Sequence, residues 1–344
     1  SVKVNDSFMK AVENKETFTL QFPIDSDKPT ITHEVDAVEL WNKIVKSATE
    51  TAEPGLLMWG NITKNLPAEC YSDVGFKTLT TNPCGEIPLS AYDSCRLISI
   101  NLKNFVKNKF EDNAEFDFVE FSETVTNAMR LSDDLVELET EKLAKIIEIC
   151  DTPDERELWQ KLLDTCTKGR RTGLGTHGLA DALACLNLAY DSEDALAVVD
   201  KIYNTLKINA YAESVQLAQE RGSFPVFAWD KEKDNAFIKS LPANLQKLIS
   251  VHGRRNISIL TNAPTGSVSI MSQTSSGLEP VFRNSYIRRR KLSHNETDVE
   301  PDFIDDLGDR WLEYEIYHHN VKSWIDKHKS REIPQFFKTS DSIE

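Results

Sequence analysis

Short strand-like runs alternate with long helical stretches along most of this chain, and that alternation constrains its fold more than any other feature. SVKV at the start, FTLQF (18–22), GLLMW (55–59), LISINL (97–102), RRTGLG (170–175) and NISIL (256–260) read as strands or strand-to-turn segments. Between them the apolar spacing predicts helices over about 7–13, with Asp6 as cap, and from Asp36 to the stop at Pro54. Further helices are predicted over about 117–149, 153–166, 176–186, 193–221 and 241–251, with an amphipathic one around 311–328. On the longest of these, Phe118, Phe121, Val125, Ala128, Leu131, Leu135 and Leu138 make the expected buried stripe. Strands separated by long helices imply parallel βαβ units, so the expected class is α/β. In such folds the chemistry sits in loops at the carboxyl ends of strands.

Two stretches break the pattern. From Asn61 to Ser90 the periodicity vanishes, and roughly 30 residues without a pattern inside a domain mark a functional loop. The second is 261–277, rich in Ser, Thr and Gly. Composition limits what either loop can bind. A formal net charge of −15 over 344 residues repels polyphosphate chains, so DNA and RNA binding is not expected and any phosphate ligand must be small and held locally. The six cysteines include no CxxC pair and no zinc spacing, which suits a reducing compartment, and no metal site is expected. No secretory segment and no apolar run of ~18 residues stands out, so the expectation is a cytoplasmic protein away from membranes. Both ends look cut from something larger.

The segment TLTTNPCGEIPLSAYDSCRLISINL (78–102) carries the most chemistry. Asn82, Cys84 and Glu86 fall within five residues, separated by Pro83, which fixes its φ, and Gly85, which is free to adopt a positive one. Their side chains can converge on one small volume as a reactive sulfur, a proton shuttle and an orienting amide. Cys95, eleven residues after Cys84, opens a strand and offers a second sulfur. A lone cysteine in such a loop is more often a small apolar residue than a reactive one, and the neighbouring Asn and Glu shift that balance. NAPTGSVS (262–269) has the composition of an anion cradle: Thr265, Ser267 and Ser269 supply hydroxyls, and Gly266 lets backbone N–H groups approach oxygen closely. It is not a Walker loop, and by itself it reads equally as an ordinary turn.

TNPCGEIPLSAYDSCRL closely resembles the finger loop of ribonucleotide reductase large subunits, with its Asn-x-Cys-x-Glu pattern and second redox cysteine downstream. The spelling NPCGE looks most like the adenosylcobalamin-dependent class II enzymes. RRTGLGTHGLADALACL (170–186), NAPTGSVSIMSQTSSGLEPVF (262–282) and SVKVNDSFMKAVEN (1–14) resemble further segments of the same family, so the likeness spans residues 1–292. It implies the carboxyl half of a ten-stranded α/β barrel around a central finger loop over 1–292, followed by a charged, partly helical extension over 293–344.

The resemblance also implies roles. Cys84 would be the thiyl radical that takes the 3′-hydrogen of a ribonucleotide, Glu86 the base and acid on the 3′-hydroxyl, and Asn82 the orienting amide. Cys95 would be one of two thiols that supply reducing equivalents as the 2′-hydroxyl leaves as water. Thr81, Thr265, Gly266, Ser267, Val268 and Ser269 would bind substrate, most simply a diphosphate. Adenosylcobalamin and a dithiol reductant of the thioredoxin kind would be needed. The partner of Cys95, the effector-nucleotide loops and the C-terminal cysteine tail of the family are not matched here. The expectation is therefore one piece of a split or intein-interrupted enzyme that assembles with complementary chains. A class I large subunit, which needs a separate metal-radical subunit, and a non-catalytic nucleotide-binding fragment are the alternatives.

Other features carry less. GLGTHG (173–178) matches GxGxxG only superficially, because no acidic residue follows a strand at the dinucleotide spacing. His177 in that turn reads as structural. RRRKL (288–292) reads as a solvated basic face, His318 and His319 lack metal-ligand spacing, and Cys70, Cys150, Cys166 and Cys185 read as packed thiols.

Overall fold

The computed structural model describes residues 1–24 and 26–343, which divide into two compact units. Elements are numbered in chain order. The first unit comprises residues 1–93 and 226–251. In it, β1 (Val2–Val4) pairs in parallel with β4 (Leu56–Met58). Between them lie α1 (Asp6–Asn14), the hairpin β2–β3 (Thr17–Phe22 and Ile31–Asp36) and α2 (Ala37–Thr51). Asn5, not Asp6, caps α1, because its side chain accepts from the Phe8 N–H. Asp36 caps α2 as expected, accepting from Glu39 N–H. Val4, Phe8, Ala11 and Ala37 form the core here, with Phe18, Leu40 and Trp41 against it.

The stretch without periodicity turns out to be built. It holds α3 (Trp59–Asn65), a 3₁₀ segment over Pro67–Val74 and a two-residue-deep hairpin, β5 (Thr80–Thr81) with β6 (Pro88–Leu89). Such short pieces fall below the window in which periodicity can register. Tyr71, fully buried in the 3₁₀ segment, donates to Glu232 at 2.6 Å and so ties it to α8 (Trp229–Glu232). Two more helices, α9 (Ala236–Lys239) and α10 (Ala243–His252), follow.

The second unit comprises residues 94–225 and 252 onward. Its centre is β7 (Leu97–Asn101) in parallel with β10 (Gly173–His177), Leu97 opposite Gly173. Every residue of β10 is buried, as a strand covered on both faces should be. The predicted strand 256–260 lies along the other edge of β10 in extended form. It is held by Thr172 N–H to Ser258 O, Leu174 N–H to Ile259 O and Thr261 N–H to Leu174 O, and forms one bridge, Leu174 to Leu260. After η-type Leu102–Phe105, the pair β8 (Val106–Lys107) and β9 (Glu115–Phe116) leads into α4 (Phe118–Ile149). Then come α5 (Pro153–Gly169), α6 (Leu179–Cys185), α7 (Glu193–Arg221, capped by Ser192) and α11 (Gly266–Ser272).

Parallel β7–β10 with helices between them makes the architecture α/β. The sheets are two- or three-stranded, and no closed barrel forms among the described residues, so the ten-stranded barrel expected from the resemblance is not complete here. A second difference lies near the end. Residues predicted as one helix over 311–328 split into β13 (Arg310–Tyr317) and α12 (His319–His328). RWLEYEIY alternates with a period of two, and β13 pairs with β11 (Ser285–Lys291) and β12 (Phe303–Ile304) in an antiparallel sheet. The basic run on β11 is exposed, and Arg289, Arg290 and Lys291 pair with Glu313, Glu296 and Asp309.

Candidate active site

In the first unit, the β5–β6 hairpin carries Asn82, Cys84 and Glu86 in its loop. The turn closes through Asn82 N–H to Ile87 O at 3.1 Å and Gly85 N–H to Asn82 O at 3.0 Å. Gly85 has φ +86°, the left-handed region that glycine adopts without a Cβ penalty. The Asn82 side chain takes part in this fold: its Oδ1 accepts from the Ile87 N–H at 3.0 Å. The amide oxygen therefore locks the loop, and the NH₂ half is the part that can donate outward. Glu86 is half-buried, with Oε2 shielded from solvent. Cys84 is exposed at the tip of the loop. Thr81, the last residue of β5, is half-buried and pairs with Pro88.

Cys95 and the 265–269 turn belong to the second unit. Cys95 is exposed and lies two residues before β7. The turn after residue 260 behaves differently from a row of free hydroxyls. Thr265 is buried, and its Oγ1 accepts from Gly277 N–H at 3.0 Å. Ser269 is buried too, its hydroxyl donating to Gly266 O at 2.9 Å. Both are spent on shaping the loop. Gly266, Ser267 and Val268 are exposed, and no atom lies within 4 Å of where a Gly266 Cβ would be. What this turn can present to an anion is the backbone of 266–268 and the Ser267 hydroxyl.

Several residues that hold this loop are not evident from spacing. The Asn262 side-chain oxygen accepts from Thr176 N–H at 3.0 Å, and Thr176 Oγ1 lies 2.8 Å from the Tyr203 hydroxyl. Burial pushes the Tyr203 phenol up to about 12, so it stays protonated. His177 bridges Ser99 Oγ of β7 at 2.8 Å and Ser272 Oγ of α11 at 3.0 Å. Its burial lowers its pKa and keeps the imidazole neutral, which agrees with a structural reading of this residue. Asp181 accepts from Ser275 N–H at 3.0 Å, with His318 Nδ1 at 3.6 Å from its other oxygen. Burial outweighs that neighbour and raises the Asp181 pKa. The glycines of GLGTHG serve packing. A Cβ on Gly175 would stand 1.8 Å from the Thr261 carbonyl oxygen.

Behind the strands lies a charged core. Asp133 of α4, fully buried, accepts from Arg170 at 2.8 Å, Asn256 at 3.0 Å, Arg221 at 3.2 Å and Arg255 at 3.3 Å. Burial opposes its ionisation, but the guanidinium groups of Arg170 and Arg255 with the Asn256 amide hold its carboxyl below the usual range. This cluster ties α4 and α7 to the residues that lead into β10 and into the parallel 256–260 segment. Among the described residues no group of three or more His, Cys, Asp or Glu is arranged to hold a metal, and no helix is long and apolar enough to cross a membrane.

Comparison with known proteins converges on one family. A family model described as the barrel domain of ribonucleotide reductase matches residues 1–344. The chain is 31% identical over 309 residues to a vitamin B12-dependent ribonucleoside-diphosphate reductase of Thermoplasma acidophilum, covering 88% of this chain and 34% of that protein. A protein of the same description from Mycobacterium tuberculosis is 31% identical over 288 residues, 84% of this chain and 35% of its own length. A putative ribonucleoside-diphosphate reductase large subunit of frog virus 3 is 27% identical over 321 residues, 91% of this chain and 48% of that protein. The chain spans about a third of the length of the B12-dependent relatives it matches.

Proposed function

This chain belongs to the ribonucleotide reductase family through its barrel domain, and on that premise we propose that it supplies the radical-bearing loop and phosphate loop of a reductase. The reaction is reduction of ribonucleoside diphosphates to 2′-deoxyribonucleotides. The observation that carries this reading is the β5–β6 hairpin, where one short turn gathers a thiol, a carboxylate with a shielded oxygen and an amide whose oxygen locks the loop.

Cys84 acts as the thiyl radical that abstracts the 3′-hydrogen, since an S–H bond is weak enough to break and re-form reversibly. Glu86 takes and returns the 3′-hydroxyl proton, and the Asn82 NH₂ donates to the sugar. Cys95 is one of the two thiols oxidised as the 2′-hydroxyl departs. The 266–268 backbone and Ser267, framed by Thr265 and Ser269, take the diphosphate. Thr81 contacts substrate at the base of the hairpin. Residues 1–292 are the carboxyl half of a ten-stranded barrel and 293–344 its charged continuation. The parallel run of β7, β10 and the extended 256–261 segment supports that reading.

The printed names of the relatives favour adenosylcobalamin as the radical source. What this chain offers such a cofactor is a reachable thiol, because Cys84 is exposed at its loop tip. The cofactor would contribute the initiating radical, and no side chain here is assigned to hold it. Water must be kept from a radical intermediate, so the exposed loop needs a cover, and complementary polypeptide, with the family's other redox cysteine, is the partner that supplies it. A thioredoxin-like dithiol completes the cycle, and the free thiols suit the reducing cytoplasm.

The test uses the complete enzyme containing this chain, given adenosylcobalamin, a dithiol and 3′-tritiated ribonucleoside diphosphate. Tritium should wash into water with the native protein and stay on the nucleotide with Cys84→Ser, which still binds it. Washout that persists in Cys84→Ser overturns the assignment. Washout that needs a separate metal-radical protein and no cobalamin places the chain with class I.

A further inference from the structure

The geometry points to Glu139 as the residue that positions the Cys95 thiol for its reducing step, an inference that rests on the reading of Cys95 as a redox thiol given above. Cys95 is exposed, yet its backbone is gripped on both sides by one carboxylate. The Ser94 hydroxyl donates to Glu139 Oε1 at 2.9 Å, and the Arg96 Nε donates to Glu139 Oε2. Both neighbours thus turn toward α4 while Cys95 between them stays exposed.

Arg96 makes the grip stiff. It is buried, and its other nitrogens donate to the Arg171 carbonyl at 2.8 Å and to Cys166 Sγ at 2.9 Å. One guanidinium therefore joins α4, α5 and the segment entering β10. Glu139 sits on the half-exposed flank of α4. An exposed thiol on a free chain end would sample many directions. Fixing the residues before and after it removes that freedom, and an ångström of misplacement is worth about 100-fold in rate.

The proposed chemistry separates this role from simple support of the fold. Hydrogen exchange at C3′ needs the Cys84 radical and its neighbours in the hairpin but draws no electrons from Cys95. Product formation also needs Cys95, which with a second thiol gives up two electrons and two protons, forming a disulfide as the 2′-hydroxyl leaves as water. In the complete enzyme, Glu139→Ala should leave 3′-tritium washout within about twofold of native and lower deoxynucleotide formation by roughly ten- to 100-fold. Cys95→Ser should show the same split in full. Glu139→Gln keeps an oxygen for Ser94 but loses the charge that Arg96 needs, and should fall between native and Glu139→Ala. Native product formation in Glu139→Ala overturns the inference. So does a parallel fall of washout and product, which is the mark of a damaged fold, and thermal unfolding of each variant identifies that case. If native enzyme shows no washout, or Cys95→Ser still makes product, the underlying reading fails first and the inference falls with it.

Discussion

Replacing Gly175 with alanine should disrupt the second unit more than any other single methyl group. Its Cβ would lie 1.8 Å from Thr261 O, 2.9 Å from Thr261 C and 3.0 Å from Asn262 Oδ1. A carbon–oxygen contact normally sits at roughly 3.3 Å, so the 261–262 backbone must retreat by about 1.5 Å. Three hydrogen bonds cross that gap: Leu174 N–H to Ile259 O at 2.9 Å, Thr261 N–H to Leu174 O at 3.0 Å, and Thr176 N–H to Asn262 Oδ1 at 3.0 Å. Adding about 1.5 Å takes each past hydrogen-bonding range, and a buried backbone group left unpaired costs about 1–3 kcal/mol. The summed loss is about 3–9 kcal/mol, a large share of the ~5–15 kcal/mol that a domain of this kind holds. Gly266→Ala is the matched control, because no atom lies within 4 Å of its Cβ, and stability should change by no more than ~0.5 kcal/mol. Urea unfolding gives the magnitude, and amide exchange at Leu174 and Thr261 reports the second unit independently of the first. A loss under about 1 kcal/mol for Gly175→Ala, or protection retained at both amides, would refute the reasoning.

The two buried aspartates of the second unit should respond to pH with opposite sign. The Asp133 carboxyl is held below its ordinary 3.8, so on acidification the unfolded chain takes up that proton first. Its stabilisation is complete above about pH 5 and fades as the pH falls through and below the ordinary value. Asp133→Asn should cost about 3–5 kcal/mol at pH 7, because Arg170 and Arg255 lose their counter-charge, and much less at pH 3 by urea titration. Asp181 is raised above its ordinary 3.8 by burial, so the unfolded chain releases that proton first and stability falls as the pH rises through this range. Asp181→Asn, whose oxygen can still accept from Ser275 N–H, should therefore be neutral near pH 3 and stabilising at pH 7. A stability loss at pH 7 would contradict this. In the hairpin, Asn82→Asp keeps the oxygen that accepts from Ile87 and loses the NH₂ donor. It should preserve slow exchange of the Ile87 amide and still lower turnover of the complete enzyme about 100-fold, whereas Asn82→Ala should also lose the protection.

How far the sequence is legible depends on the length scale of each feature. Long helices were readable because their periodicity repeats: α5 and α7 begin and end within a few residues of their apolar pattern, with Thr152 and Ser192 as caps. The face of α4 was not. The predicted stripe includes Leu131 and Leu138, which are 54% and 51% exposed, while Met129, Ser132, Asp133 and Val136 are buried. Periodicity counts apolar residues, and here a carboxylate paired with three arginines rotates the helix away from its most apolar face. The 311–328 stretch failed for a related reason, since alternating and helical spacing overlap in RWLEYEIY and only pairing with β11 decides between them. Asn82, Cys84 and Glu86 were readable because three residues in one turn need no tertiary partner to lie together. Tyr203 and Glu139 are not, because Tyr203 meets Thr176 from 27 positions away and Glu139 meets Ser94 and Arg96 from 45 and 43, contacts that only the folded chain reveals.

The candidate loops share one design, and it bears on how a radical could be handled. In each, side chains that look available for substrate are committed to the loop itself. Asn82 Oδ1 closes the hairpin, and Thr265 Oγ1 and the Ser269 hydroxyl brace the 265–269 turn. Cys95 makes the same point from outside, exposed between two neighbours bound to Glu139. Rigid loops of this kind pay their ordering entropy during folding, so the reacting atoms need little rearrangement when a nucleotide arrives. Rigidity alone does not keep water away from Cys84, which stands exposed at the hairpin tip. On the proposed function the two requirements separate: each loop's geometry is set by its own contacts, and exclusion of solvent from Cys84 is the task of polypeptide that covers it. If that division holds, the 3′-exchange reaction should be the step most dependent on complementary chain, while the hairpin lock at Asn82 and Ile87 should already be measurable by amide exchange without it.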